Sequence, residues 1–308
     1  MNRKVMRHGA SSLSITLPSN WTSKYGIKQG DELHVLVQQR RLIVSTSKQI
    51  QGEKLTISVK KIDKRILRTL LASAHEYGYD EVEIFFDDLS IIEIIRYEQN
   101  LLLGYEIIEQ TDKRCLLKSI SVGLDTEFDN IFRRLFYVTL SLSDTCLQKL
   151  RSGNIRNITD ILSLEETNNK LADFCERLIN KGGYKDYRKN SFVYVTCWQL
   201  EKIGDEYRNL FLFLQKKAGY AIKISKNTLL NLERVNSLLR ELTEIYFKFD
   251  ISRMTKLKET KDTLISELHL CFEKEDLQNS IIISSLINIS TRILDLSSCC
   301  IAMSFGED

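Results

Sequence analysis

The stretch "LEKIGDEYRNL", Leu200 to Leu210, decides how the C-terminal part of this 308-residue chain is read. Glu201 and Asp205 stand four residues apart in an otherwise amphipathic helix and so share one face of it. Two like charges so placed repel. They are screened by water, paired with cations such as Lys202 and Arg208, or used to hold a metal ion. The choice among the three depends on what the rest of the chain places beside them.

The phrase has a counterpart further on. It aligns with "STRILDLSSCC", residues 290 to 300, which sets Ile203 and Asp205 over Ile293 and Asp295 at an offset of 90 residues. A second pair, "SLEETNNKLADFC" from Ser163 and "KLKETKDTLISEL" from Lys256, sets Leu164, Glu166, Thr167 and Leu171 over Leu257, Glu259, Thr260 and Leu264 at an offset of 93. Two offsets this close imply two copies of one three-helix unit, over 125–215 and 225–305 within a helical region 123–308. Its beginning carries Phe128, Phe132, Leu135, Leu142, Cys146 and Leu150 on one helical face, with Asp125 or Thr126 as the cap.

Upstream the pattern differs. Residues 49–122 read as a small α/β unit: a strand at "KLTISVK", a helix from Asp63 to Tyr77, a strand at "DEVEIFF", a helix at "LSIIEIIRYEQ" and strands at "YEIIEQ" and "CLLKSI". It holds no Gly-rich phosphate cradle, which argues against a nucleotide site. Residues 1–48 read as strands at "RKVMRHG" and "SLSITLP", a short helix at "SNWTSKYGI" with Ser19 as N-cap and Gly26 just past its end, a turn at "KQGDEL", and strands at "LHVLVQQ" and "RLIVSTS". Four such strands cannot bury a core alone, so the segment needs the rest of the chain or a second copy.

Charge is unevenly placed. The chain carries a net +3, yet its first 48 residues hold Arg3, Lys4, Arg7, Lys24, Lys28, Arg40, Arg41 and Lys48 against Asp31 and Glu32 alone, an excess of six. Seven scattered cysteines without CxxC spacing read as reduced core residues of a cytosolic protein. No stretch near 18 uncharged apolar residues and no signal-like start are found, so the expectation is a cytoplasmic chain without membrane insertion. The single proline, Pro18, fits long uninterrupted helices. Four scattered histidines argue against a zinc site, and neither G-x-S-x-G nor a Cys–His pair appears, so the chain reads as a non-enzyme.

Two resemblances sharpen these expectations. The order strand, Leu17-Pro18, short helix, Gly26-Ile27, Gly30-Asp31, strand, strand resembles the AbrB/MazE/SpoVT swapped-hairpin DNA-binding fold. That likeness implies two chains interleaving into one dimer whose basic first strand and loop face DNA. "LEKIGDEYRNL" within tandem three-helix units resembles the PhoU family of phosphate-signalling regulators, and the combination is similar to archaeal PhoU-type regulators over nearly the whole chain.

The implied function is a homodimeric transcriptional regulator linked to phosphate uptake, with Arg3, Lys4, Arg7 and Lys24 on phosphates and His8, Ser11 and Ser12 adding neutral hydrogen bonds. Relatives often carry arginines where this chain has Thr22 and Ser23, so an operator sequence does not transfer. PhoU relatives hold divalent metal with Glu/Asp-x-x-x-Asp motifs. Of four candidate positions here, Glu201/Asp205 is intact, Glu165/Asn169 keeps the acid only, Lys258/Asp262 has a cation for the acid, and Thr291/Asp295 keeps the aspartate only. The resemblance therefore implies at most one divalent site, from Glu201, Asp205, Glu165, Glu166 and Asn169 in the first bundle. The alternative reading is an adaptor that does not bind DNA, docking its bundles on a phosphate-transport ATPase or sensor kinase.

Overall fold

The computed structural model describes residues 2–9, 11–38, 41–46, 53–59, 63–120, 127–217 and 223–306. Arg40, Lys48 and the two capping candidates Asp125 and Thr126 lie outside them. The chain forms two compact units, Met1–Glu53 and Lys54–Asp308.

In the first unit β1 (Met6–His8) and β2 (Ser12–Ser14) make an antiparallel hairpin, with Met6 opposite Ser14 and His8 opposite Ser12. A short helix, α1 (Ser19–Lys24), leads to a second antiparallel hairpin of β3 (Leu33–Gln38) and β4 (Arg41–Thr46), with Val37 opposite Leu42. The helix starts one residue earlier than expected: Pro18 holds the N-cap position at φ −64, and Ser19 is already helical. The proline ring presets that φ, and its carbonyl accepts the first helical bond, from the Thr22 N–H at 2.9 Å. At the other end Gly26 follows the C-cap Tyr25 as expected. Ile27 N–H donates to the Thr22 carbonyl at 2.8 Å and Gly26 N–H to Ser23, the paired bonds of a Schellman ending. Asp31 Oδ2 accepts from the Lys28 N–H at 2.6 Å and pins the following turn.

Among the described residues of this unit none is buried. Val5, Met6, Leu13, Ile15, Val35 and Val37 are all exposed, Leu13 by 73% and Val37 by 70%. Hairpins this short form without a hydrophobic centre of their own here, and the apolar alternation of β3 is left facing outward.

The second unit opens with a four-stranded sheet. Its elements are β5 (Lys54–Val59), α2 (Lys64–Tyr77), β6 (Glu81–Phe86), α3 (Ser90–Gln99), β7 (Tyr105–Gln110) and β8 (Arg114–Ser119), with strands in the order β5-β6-β8-β7. The α2 crossover makes β5 and β6 parallel, and the β7–β8 hairpin folds back so that β8 pairs antiparallel to both its neighbours. Val82, Ile84 and Leu117 point to the helical side and pack with Leu67 and Leu71 of α2 and Ile91 and Ile95 of α3. Glu83, on the opposite face by strand alternation, is held by Lys54 at 2.8 Å and Arg114 at 2.5 Å. The Asp63 side chain caps α2, accepting from the Arg65 N–H.

Helices dominate the remaining described residues. α4 (Phe128–Ser152), α5 (Thr159–Gly182) and α6 (Asn190–Lys217) pack on one another, as do α7 (Lys226–Phe247), α8 (Ile251–Lys274) and α9 (Leu277–Ser304). The α4–α7 and α6–α9 contacts join them around one core. α5 and α8 are both 24 residues long, and α6 and α9 both 28. On α4 the periodic face Phe132, Leu135, Leu142, Cys146 and Leu150 is buried and Phe128 is partly so.

α9 amends one expectation. By length and composition it is apolar enough to cross a membrane, the one such helix among the described residues, and half of its apolar window is buried. It touches α6, α7 and α8, and a helix covered on three sides is apolar nearly all round. All seven cysteines are free; six are buried and Cys271 is partly so.

The sheet is fastened to the helices where α2 ends against α5. Arg177 Nη1 donates to the carbonyls of His75 at 2.8 Å and Tyr79 at 2.7 Å, and Nη2 to Asp80 Oδ1 at 3.1 Å. Gly78 closes α2 with φ 110, and a Cβ there would stand 2.7 Å from Lys181 Cγ, so both the backbone turn and the close approach of α5 call for glycine.

Candidate functional site

Three groups of residues bear on function. The first is the basic N-terminal set. Arg3 lies just before β1, and its Nη1 donates to Thr16 Oγ1 at 3.3 Å, while Lys4 is exposed beside it. Strand alternation puts Arg7, opposite Leu13, on one face of the first hairpin, and His8, opposite Ser12, on the other. Ser11 sits in the connecting turn. Lys24 is on α1, its Nζ 5.2 Å from the Tyr25 ring centroid. The candidates thus divide between two faces of the hairpin and a helix end, and all are exposed.

The second is the set nominated for metal. Glu165 on α5 is buried, and its Oε1 accepts from Arg208 Nη1 at 2.5 Å and Asn169 Nδ2 at 2.9 Å. Arg208 Nη2 also meets Asp205 Oδ1 at 2.9 Å, and Lys202 Nζ bridges Glu201 Oε1 at 2.9 Å and Asp205 Oδ2 at 3.1 Å. So α5 and α6 do bring Glu165, Asn169 and Asp205 together, but around a guanidinium. Burial raises the Glu165 carboxyl above its usual range while Arg208 and Asn169 pull it back. Of the opening alternatives for Glu201 and Asp205, pairing with cations is the one this geometry displays. In the second half Asp262 is exposed beside Lys261, and Thr291 Oγ1 donates to the Ile287 carbonyl. Among the described residues no group of three or more His, Cys, Asp or Glu is placed to hold a metal ion.

The third, apart from Glu201, was not singled out from the sequence. Glu76 near the end of α2, Asp173 and Glu176 on α5, and Tyr194, Trp198 and Glu201 on α6 come together, and all but Asp173 line a pocket of about 320 Å³. Positions 194, 198 and 201 share a helical stripe, as do 173 and 176. Glu176 is 3% exposed and lines the pocket beside Tyr194, and its Oε1 has no hydrogen-bond partner. Burial, reinforced by Glu76 and Glu201, pushes the Glu176 carboxyl up to about 8, and burial with Glu76, Glu201 and Glu176 holds Asp173 well above the usual carboxylate range. Glu76 is raised by burial and by Glu201. The usable signal was "LADFCERLI", in which acids interrupt an apolar run that must face a neighbour.

His75, beside this group on α2, is a core histidine. Burial lowers it to about 3, and its Nε2 bonds the Leu103 carbonyl at 2.9 Å. No protein-family model, no curated protein and no solved structure matches the chain.

Proposed function

We propose that this protein is a cytoplasmic, non-enzymatic DNA-binding regulator that dimerises through its first unit and uses its helices, a PhoU-like pair of three-helix repeats, to sense or relay phosphate status. The observation that carries this reading is the first unit itself: no described residue is buried, large aliphatics are exposed on both hairpins, and the first 48 residues carry eight cations against two carboxylates. Exposed apolar strands need a partner, and a second copy interleaved as in the swapped-hairpin fold supplies one. Dimerisation doubles the cationic excess on one particle, as suits a polyanion. A ligand that prefers one arrangement of the helices would then shift the spacing of the two DNA-facing hairpins.

The test is binding of the full chain to random duplex DNA over a range of salt. Each lost phosphate contact flattens the slope of log affinity against log salt by about 0.9. Arg7→Ala, removed from both copies, should flatten it by about two units and weaken all sequences alike, and Lys4→Ala should act in the same direction. Absence of salt-dependent DNA binding would overturn the reading in favour of the adaptor.

A further inference from the structure

The pocket between α2, α5 and α6 has features that a solvated acidic face lacks. We propose that it is a binding site for a small organic cation bearing an ammonium or guanidinium group, seated on Glu176 and Glu76 and flanked by Trp198. The inference goes beyond the regulatory reading and does not depend on DNA binding.

Four observations support it. Glu176 is almost completely buried, lines the pocket, and keeps one carboxylate oxygen without a partner. A buried acceptor left open is costly unless something fills it. Among the described residues no salt bridge reaches Glu76, Asp173 or Glu176. The one cation at the rim, Lys202, is turned to Glu201 and Asp205. The wall includes Tyr194 and Trp198, the latter 43% exposed, so the pocket reaches solvent past an aromatic face of the kind that attracts organic cations. Its volume, about 320 Å³, is at the small end for ligand pockets and suits a molecule of about ten heavy atoms.

A metal ion fits less well. The carboxylates come from three helices, and no three of them converge closely enough to share one ion. A headgroup with several N–H donors can reach separated acceptors instead. Binding should also expel a proton, because Glu176, facing Glu76 of α2, Asp173 of its own helix and Tyr194, Glu201 and Lys202 of α6, must ionise to pair. Affinity should therefore rise with pH up to about 8 and then level off, while a guanidinium or alkylammonium ligand stays charged throughout.

The experiment is calorimetric titration of the full chain with agmatine at matched ionic strength, at pH 6 and pH 8.5. The expected result is saturable binding, at least about tenfold tighter at the higher pH, with uptake of the ligand accompanied by proton release. Glu176→Gln should weaken it about tenfold or more and remove the pH dependence. Trp198→Ala, at an exposed position that leaves the core intact, should weaken it about threefold or more. Three results would overturn the proposal: no saturable binding of agmatine at either pH; equal affinity in wild type and in Trp198→Ala; or saturation by magnesium chloride, or by an arginine-containing peptide, where agmatine fails to bind. DNA retention is read separately, so failure here leaves the regulatory reading standing.

Discussion

Arg177→Met should loosen the sheet from the helices by about 2–3 kcal/mol. The methionine keeps most of the aliphatic stem, so the loss is that of the guanidinium, which makes three hydrogen bonds from a site 1% exposed. Removing one partner of a buried ion pair commonly costs about 3–5 kcal/mol because the other charge is stranded. Here the stranding is incomplete. Asp80 keeps Lys181, the Tyr79 carbonyl keeps the Tyr105 hydroxyl, and the His75 carbonyl keeps the Gly78 N–H at 3.0 Å. What is lost is the charge-assisted share of three bonds and the stacking of Arg177 near Tyr105, at 5.1 Å, less the desolvation of the cation itself. Urea denaturation gives the total, and hydrogen exchange gives the location: amides of α2 and β6 should lose protection while those of α7 and α9 keep theirs. A loss under about 0.5 kcal/mol, or unchanged exchange in α2, would refute the view that this guanidinium is the fastening.

Glu176→Gln should change stability in a pH-dependent way. The folded carboxyl titrates at about 8 against an ordinary 4.5, so the contribution of Glu176 to stability is fully present below 4.5 and is lost as pH rises through 8. The full displacement corresponds to about 5 kcal/mol as an upper bound, and the amide variant should gain at least about 1 kcal/mol on wild type between pH 5 and pH 9; equal urea midpoint differences at the two pH values would show that Glu176 is not the group responsible. Gly204→Ala should destabilise by about 1–2 kcal/mol despite alanine's better helix propensity, because the new Cβ would stand 2.8 Å from Asn168 Oδ1 in the buried α5–α6 contact; thermal melting checks this, with Gly182→Ala, which meets nothing within 4 Å, as the harmless control. Val37→Lys should shift the full chain towards monomer in sedimentation if β3 is a dimer surface, whereas an unchanged mass would place the partner elsewhere.

The sequence alone determined the elements. Alternation and turn residues located the strands and helices of residues 54–120 to within a residue or two, and the helical period placed the buried face of α4, because local periodicity is written directly into the chain. The internal repeat pointed to two sets of three helices; in the fold α5 and α8 are equal in length, as are α6 and α9. Tertiary structure decided everything that depends on which charges face each other. Spacing alone left Glu201 and Asp205 open to solvation, pairing or a metal; in the fold Arg208 lies between Asp205 and Glu165, which is on another helix 43 residues away in sequence. Glu76 carried no signal at all, since it meets Glu176 and Glu201 because the end of α2 lies against α5, where Arg177 and Asn180 bond its last carbonyls. Spacing along one helix fixes what shares a face, but the partner across the contact belongs to another element, and a single chain of letters does not say how the two are turned.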